Sequence, residues 1–168
     1  MIIVVEGQRG AGKSTVVSWV QEIMTKTTSS KVEVLKFQRG LNPAADMWAT
    51  LQDLDHKRGI FIIDRFHLSE FVISTHLNRV PLPILTYTTA RIHSKLHKDK
   101  SWILYVKAPL QLIIERARTR PDKEFYMPPE EEEALWQECT NRFMPTATID
   151  TSNDPQTIKN FLTFRLTR

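Results

Sequence analysis

The sequence predicts an α/β fold, a three-layer sandwich in which helices cover both faces of a five-stranded parallel sheet. Three observations carry this expectation. Short apolar runs alternate with longer segments of helical periodicity along the whole chain. The first run, Ile2 to Val5, is continuously apolar and β-branched, as a strand buried on both faces requires. A glycine-rich turn and a helical pattern follow it directly, in the order of a strand–turn–helix unit.

Each element follows from its residues. After the first strand, Val16, Val17, Val20, Ile23 and Met24 form one apolar side of a helix over Lys13 to Met24. Val32, Val34 and Leu35 mark a second strand, and Pro43 opens a short helix that runs to about Lys57. Gly59 gives way to Ile60 to Asp64, a third buried strand ending in a carboxylate. Helices are expected over 68–78 and 82–98, then a fourth strand from Trp102 to Val106 and a helix from Pro109 through Arg118. The stretch from Arg120 to Pro129 is polar with three prolines and reads as a loop. A helix over 130–143, a fifth strand over 146–149 and a closing helix over 155–166 complete the pattern.

Composition sets bounds. The 168 residues are 41% apolar and 25% charged, the balance of an ordinary globular chain, and no linker or repeat divides them, so one domain is expected. A single cysteine, Cys139, excludes an internal disulfide and fits a reducing cytoplasm. The apolar run ending at Glu6 is far too short for a membrane span, so no membrane partner is expected. A net charge of +4 with a pI near 9.3 suits phosphate-bearing ligands, although mild basicity alone carries little weight.

The strongest signal is Gly7-Gln8-Arg9-Gly10-Ala11-Gly12-Lys13-Ser14, a full G-x4-G-K-S phosphate loop between a predicted strand and a predicted helix. Gly7, Gly10, Ala11 and Gly12 let backbone N–H groups curl around a phosphate, and the positive end of the helix dipole points at the anion. Lys13 should reach the β- and γ-phosphates of ATP, Ser14 should ligate Mg2+, and Thr15 is placed to donate to the α-phosphate. In a parallel sheet the ligand crevice lies beyond the carboxyl ends of the strands, where Gly7, Asp64 and Lys107 all fall. Asp64 there can bind Mg2+ or take a proton from an attacking hydroxyl; its plain alternative is a turn former. Arg116, Arg118 and Arg120 alternate through the end of a helix and into the proline-broken loop; a spacing of two does not share a helical face, so their convergence needs the break at Pro121, and a lid around residues 116–129 would let them fold over ATP. Favourable charge at a helix C-terminus explains them without chemistry.

The phosphate loop, the run Ile62-Ile63-Asp64-Arg65-Phe66-His67-Leu68-Ser69-Glu70 and the run Glu115-Arg116-Ala117-Arg118-Thr119-Arg120 together resemble the thymidylate kinase and deoxynucleoside kinase superfamily. The likeness covers nearly the whole chain in element order. It implies a P-loop kinase core, ATP with Mg2+, and phosphoryl transfer to a nucleoside or nucleotide acceptor. By that resemblance Asp64 and Arg65 lie at the acceptor and near the metal, and Arg39 matches the arginine that holds the acceptor phosphate. Phe37, Phe66 and Glu70 lie in segments that would line the acceptor pocket. Trp48, Phe71 and Tyr87 are weaker candidates for stacking on a base, and Gln38 and Gln52 for reading its edge.

Two residues depart from the family pattern. Where thymidylate kinases carry an acid at the third loop position, this chain has Arg9, which suits a phosphate better than a free hydroxyl. Where nucleoside kinases carry a glutamate at the end of the second strand, this chain reads Lys36-Phe37-Gln38-Arg39. A phosphate acceptor needs no general base, so that absence favours a nucleotide. A hydroxymethyl-pyrimidine within DNA, the substrate attributed to some phage-type relatives, fits Arg9 and the basic pI. A deoxynucleoside monophosphate such as thymidylate therefore leads, the DNA acceptor is the alternative, and a slow NTP-hydrolysing switch is the third reading. The histidines form no metal constellation with cysteines or acids, the Glu130–Glu133 run reads as a negative first helical turn, and a homodimer stays open.

Overall fold

The computed structural model describes residues 1–37, 43–119 and 127–167. In chain order its elements are β1 (Ile2–Gly7), α1 (Lys13–Thr27), β2 (Val32–Lys36), α2 (Pro43–Asp55), β3 (Ile60–Asp64), α3 (His67–His76), α4 (Leu82–Lys98), β4 (Trp102–Lys107), α5 (Leu110–Arg118), α6 (Pro129–Arg142), β5 (Ala147–Asp150) and α7 (Pro155–Leu166). Every expected element is present. The differences are shifts of one to three residues at their ends: α1 runs on to Thr27 rather than Met24, α2 stops at Asp55 rather than Lys57, and β5 moves one residue toward the C-terminus.

The five strands form one parallel sheet in the order β2-β3-β1-β4-β5. Strand β1 is central because both of its faces are apolar: Ile2 to Val5 are all buried. Alternation sends Ile2 and Val4 into a core with Met47, Leu51, Leu68, Phe71, Ile92 and Trp136, contributed by α2, α3, α4 and α6. Ile3 and Val5 enter the opposite core with Val16, Val20, Ile113, Ile158 and Leu162, contributed by α1, α5 and α7. Each such side chain removed from water stabilises by about 1.5–3 kcal/mol, so strand centrality and two-sided burial are one fact seen twice.

Register brings the carboxyl ends of four strands together. Val5 of β1 is paired with Asp64 of β3, Asp64 is also opposite Lys36 of β2, and Gly7 is opposite Val106 of β4. The first helix after β1 starts at that edge, as does α3 after β3. Among the described residues, no helix is long and apolar enough to cross a membrane.

Candidate active site

The phosphate loop is shaped by three glycines at positive φ: Gly7 at 140°, Gly10 at 81° and Gly12 at 91°. At Gly7 the requirement is also steric, since a Cβ would stand 2.0 Å from the carbonyl oxygen of Val106 on the neighbouring strand. Gly12 precedes α1 in the left-handed region and accepts from the Thr15 and Val16 N–H groups. The remaining first-turn amides of α1 have no carbonyl one turn earlier to bond, which is what makes a helix start an anion site. Ser14 and Thr15 are exposed there.

Lys13 is buried, and its ammonium donates to the carbonyls of Gly7 at 2.6 Å and Gln8 at 2.5 Å. Burial pulls its pKa down to about 7, and the Arg65 guanidinium pushes the same way. Glu132, Asp64 and Glu6 oppose that shift. Arg65 itself is held below the usual arginine range by burial, with Asp64 and Glu132 opposing. The loop edge thus gathers two cations, Lys13 and Arg65, beside three carboxylates, and burial strengthens the interactions among them.

Two of those carboxylates hold the backbone. Glu6, fully buried at the end of β1, accepts from the N–H groups of Phe66 (3.1 Å), Leu68 (2.9 Å) and Ser69 (3.2 Å) and from the Ser69 hydroxyl (2.5 Å). It therefore caps α3 from another strand and fixes the turn Asp64-Arg65-Phe66, in which Arg65 adopts φ 65° and donates its N–H to Val5. Burial raises the Glu6 pKa, while those four donors pull it back. Glu132, buried in the first turn of α6, accepts from the Arg9 N–H at 2.9 Å and from the Trp136 indole at 3.3 Å. Beside it the Gln8 amide donates to the Pro129 carbonyl at 2.7 Å. Sequence reasoning passed over both acids. Glu6 interrupts an apolar strand immediately before the motif, and Glu132 stands four residues before Trp136 on the buried side of α6, so a signal existed for each.

The far side of the loop is tied down as well. Arg116 donates to the Gly10 carbonyl at 2.9 Å and approaches the Thr151 hydroxyl at 3.4 Å, while that hydroxyl donates to Ala11 at 2.8 Å. Arg118 is exposed at the end of α5. Arg116 and Arg118 both lie within α5, about 200° apart around its axis, as a spacing of two requires. Arg120, Arg39, Gln38 and the 120–126 part of the expected lid lie outside the described residues.

The acceptor candidates divide. Asp64 and Arg65 stand at the sheet edge, half-buried. Phe37 is half-buried at the end of β2, edge-on to Phe66 with ring centroids 5.4 Å apart. Phe66 and Glu70 are buried, at 1% and 2% exposure. The Phe66 ring belongs to the core, and the Glu70 carboxylate accepts from Ser74 on its own helix. Among the weaker candidates Phe71 is core, Tyr87 is exposed, and Trp48 is half-buried beneath the Arg91 guanidinium. The Glu130–Glu133 run is more than a solvated turn, because Glu132 is internal and Glu131 contacts His76 at 2.6 Å.

A chain of imidazoles leads away from Glu6. His67 Nδ1 lies 3.7 Å from the Glu6 carboxylate, His67 Nε2 lies 3.0 Å from His93 Nδ1, and His93 Nε2 faces both the Met144 carbonyl and His97 Nε2 at 3.1 Å. A carbonyl can only accept, so His93 Nε2 carries the proton, its Nδ1 accepts from His67 Nε2–H, and both rings are neutral. Burial drives His67 well below the usual histidine range and His93 to about 4. Among the described residues, no group of three or more histidine, cysteine or acidic side chains is disposed to hold a metal ion.

No protein-family model matches the chain, and neither does any curated protein. Solved structures do. The YorR protein of Bacillus subtilis, solved in complex with phosphorylated GDP, aligns with a TM-score of 0.71 at 19% identity over 99% of this chain and 95% of that one. Deoxyadenosine kinase from M. mycoides with bound dATP aligns with a TM-score of 0.63 at 17% identity, all of each chain being covered. The same kinase with bound dCTP gives 0.53 at 18%, over 99% and 98%. At these identities the likeness is one of fold: an α/β sheet of order β2-β3-β1-β4-β5, as in P-loop nucleotide kinases.

Proposed function

We propose that the protein is an ATP- and Mg2+-dependent phosphotransferase that moves the γ-phosphate to a deoxynucleotide-type acceptor, foremost a deoxynucleoside monophosphate. The observation that carries this reading is the phosphate loop itself. Three positive-φ glycines, the buried Lys13 ammonium and the open first turn of α1 stand at the same sheet edge as Asp64 and Arg65. The fold shared with nucleotide kinases supports it.

The roles follow from charge and position. The loop amides and Lys13 bind the β- and γ-phosphates, and Thr15 reaches the α-phosphate. Their anionic charge restores the Lys13 proton that burial loosens, so nucleotide binding near neutral pH takes up a proton. Ser14 and Asp64 offer the hard oxygen donors that Mg2+ prefers, and they would hold it. Bound there, the ion would neutralise charge on the phosphates. Arg116 fixes the loop through Gly10, Arg65 orients the acceptor, and Arg9, with its backbone held by Glu132, extends a cation toward it. Alignment and charge neutralisation then do most of the work.

The test is label transfer from γ-labelled ATP with Mg2+. The acceptors are the deoxynucleoside monophosphates, thymidine, a plain duplex and a duplex containing 5-hydroxymethyluracil. A Lys13→Ala protein is the blank. Label in a nucleoside diphosphate is expected. Label held on the hydroxymethylated duplex alone would transfer the reading to DNA, and free phosphate alone would leave only a hydrolytic switch.

A further inference from the structure

A groove of about 580 Å3 runs between the edge strand β2 and helix α2. Leu35, Phe37, Phe61, Ile63 and Leu54 supply its apolar lining, Asp46, Thr50 and Asp53 come from successive turns of α2, and Lys57 lies just past its end. That volume is the usual size of a small-molecule pocket, and an apolar floor with a few polar groups is the usual composition. Its upper end is formed by Lys36 and Phe37, and Lys36 is the register partner of Asp64. Two strand spacings, roughly 10 Å, separate β2 from β1 and its phosphate loop. One nucleotide spans that gap.

The groove contains three carboxylates, and they are not equivalent. Glu33 is paired with Lys31 at 3.0 Å, and Asp53 with Lys57 at 2.6 Å. Asp46 differs: its Oδ2 is buried and has no hydrogen-bond partner among the described residues. A buried acceptor without a donor is costly, so the site is complete only when something donates to it. A hard cation is a poor candidate, because it needs six or more oxygens and the groove offers one free carboxylate over a hydrocarbon floor. A flat ring bearing an N–H2 group meets both demands at once, lying on Phe37 and Leu35 and donating to Asp46 once that side chain turns its shielded oxygen into the groove.

We infer that this groove receives the acceptor's base and that Asp46 selects a base with an exocyclic amino group, adenine, guanine or cytosine, over thymine or uracil. The inference rests on the kinase reading above and narrows its acceptor. Adenine presents N6–H2, cytosine N4–H2 and guanine N2–H2 as donors. Thymine and uracil instead flank their one N–H with two carbonyl oxygens, which a carboxylate repels. A hydroxymethyluracil acceptor is disfavoured for the same reason.

Equilibrium dialysis of the full chain against labelled dAMP, dGMP, dCMP, dTMP and dUMP tests this without requiring turnover. At least one amino-bearing nucleotide should bind about ten-fold or more tightly than dTMP and dUMP, the worth of one hydrogen bond to a charged group. Asp46→Asn, which nearly preserves shape but offers both a donor and an acceptor, should bring the five within about three-fold of one another. Asp46→Ser provides the same comparison should the first variant misfold. Equal or tighter binding of dTMP or dUMP by the wild type overturns the inference, as does binding of none of the five or a ranking unchanged in both variants. Label transfer is read separately. A kinase that prefers dTMP keeps the proposed function and loses Asp46. A protein that ranks amino bases first and transfers nothing keeps the groove and loses the kinase.

Discussion

Acid should destabilise this protein through His93, and the size of the effect follows from its surroundings. Its folded pKa of about 4 lies below the ordinary 6.5, because burial disfavours the charged ring and His97 pushes the same way, while the hydrogen bond to the Met144 carbonyl opposes them in part. Above the ordinary value both folded and unfolded chains hold a neutral ring, and His93 adds no pH dependence. As pH falls below it the unfolded chain takes a proton that the folded chain refuses, so stability is lost until the folded value is reached. At about pH 5 the linkage amounts to about 2 kcal/mol; because the imidazole is only partly buried, solvent screening reduces this to ~1 kcal/mol. Glu6 opposes the trend, since a carboxylate with a raised pKa takes its proton in the folded state first. The wild type alone therefore does not isolate the term. His93→Gln does, as glutamine can still donate to Met144 and accept from His67 but does not titrate. Urea unfolding of both proteins between about pH 7 and pH 5 should show the wild type losing ~1 kcal/mol more than the variant. Parallel pH dependences, or an NMR titration of His93 near its ordinary value, would refute the reasoning.

Two further outcomes follow from the loop's supports. Glu132→Ala strands the Arg9 N–H and the Trp136 indole and should cost about 2–4 kcal/mol in urea unfolding, whereas Glu132→Gln keeps an acceptor and should cost about half as much or less. Because Glu132 heads the charges that raise the Lys13 pKa, the Gln variant should also move the pH dependence of ATP binding to lower pH, read by titration calorimetry. Gly7→Ala places a methyl carbon against the Val106 carbonyl at a φ that alanine resists, so a loss of about 3 kcal/mol or more, seen as a large fall in melting temperature, is expected.

Much of the fold was legible because its determinants are local. The two-sided apolar run of β1, the prolines that open α2, α6 and α7, and the helical stripe from Val16 to Met24 each announce an element without reference to anything distant. The phosphate loop was legible for the same reason, all of its glycines lying within six residues. What could not be read is what supports the loop. Thr151 reaches Ala11 across 140 residues, Arg116 reaches Gly10 across 106, and Glu132 reaches Arg9 across 123. No period or spacing marks such pairs. The packing of Phe66 was hidden for a related reason. An aromatic beside Asp-Arg has the composition of a pocket wall, and its place in the core depends on side chains far along the chain.

Those long separations also bear on the order of events in synthesis. The loop is made well before the side chains that secure it from outside, which come from residues 116, 132 and 151. Contacts this far apart in the chain form late, since closing so large a loop costs entropy before it returns anything. A nascent chain that stops near residue 100 would thus leave the loop unsupported. Competence to grip a triphosphate should appear in one step, once residue 151 has been made, and chains stopped before it should show none.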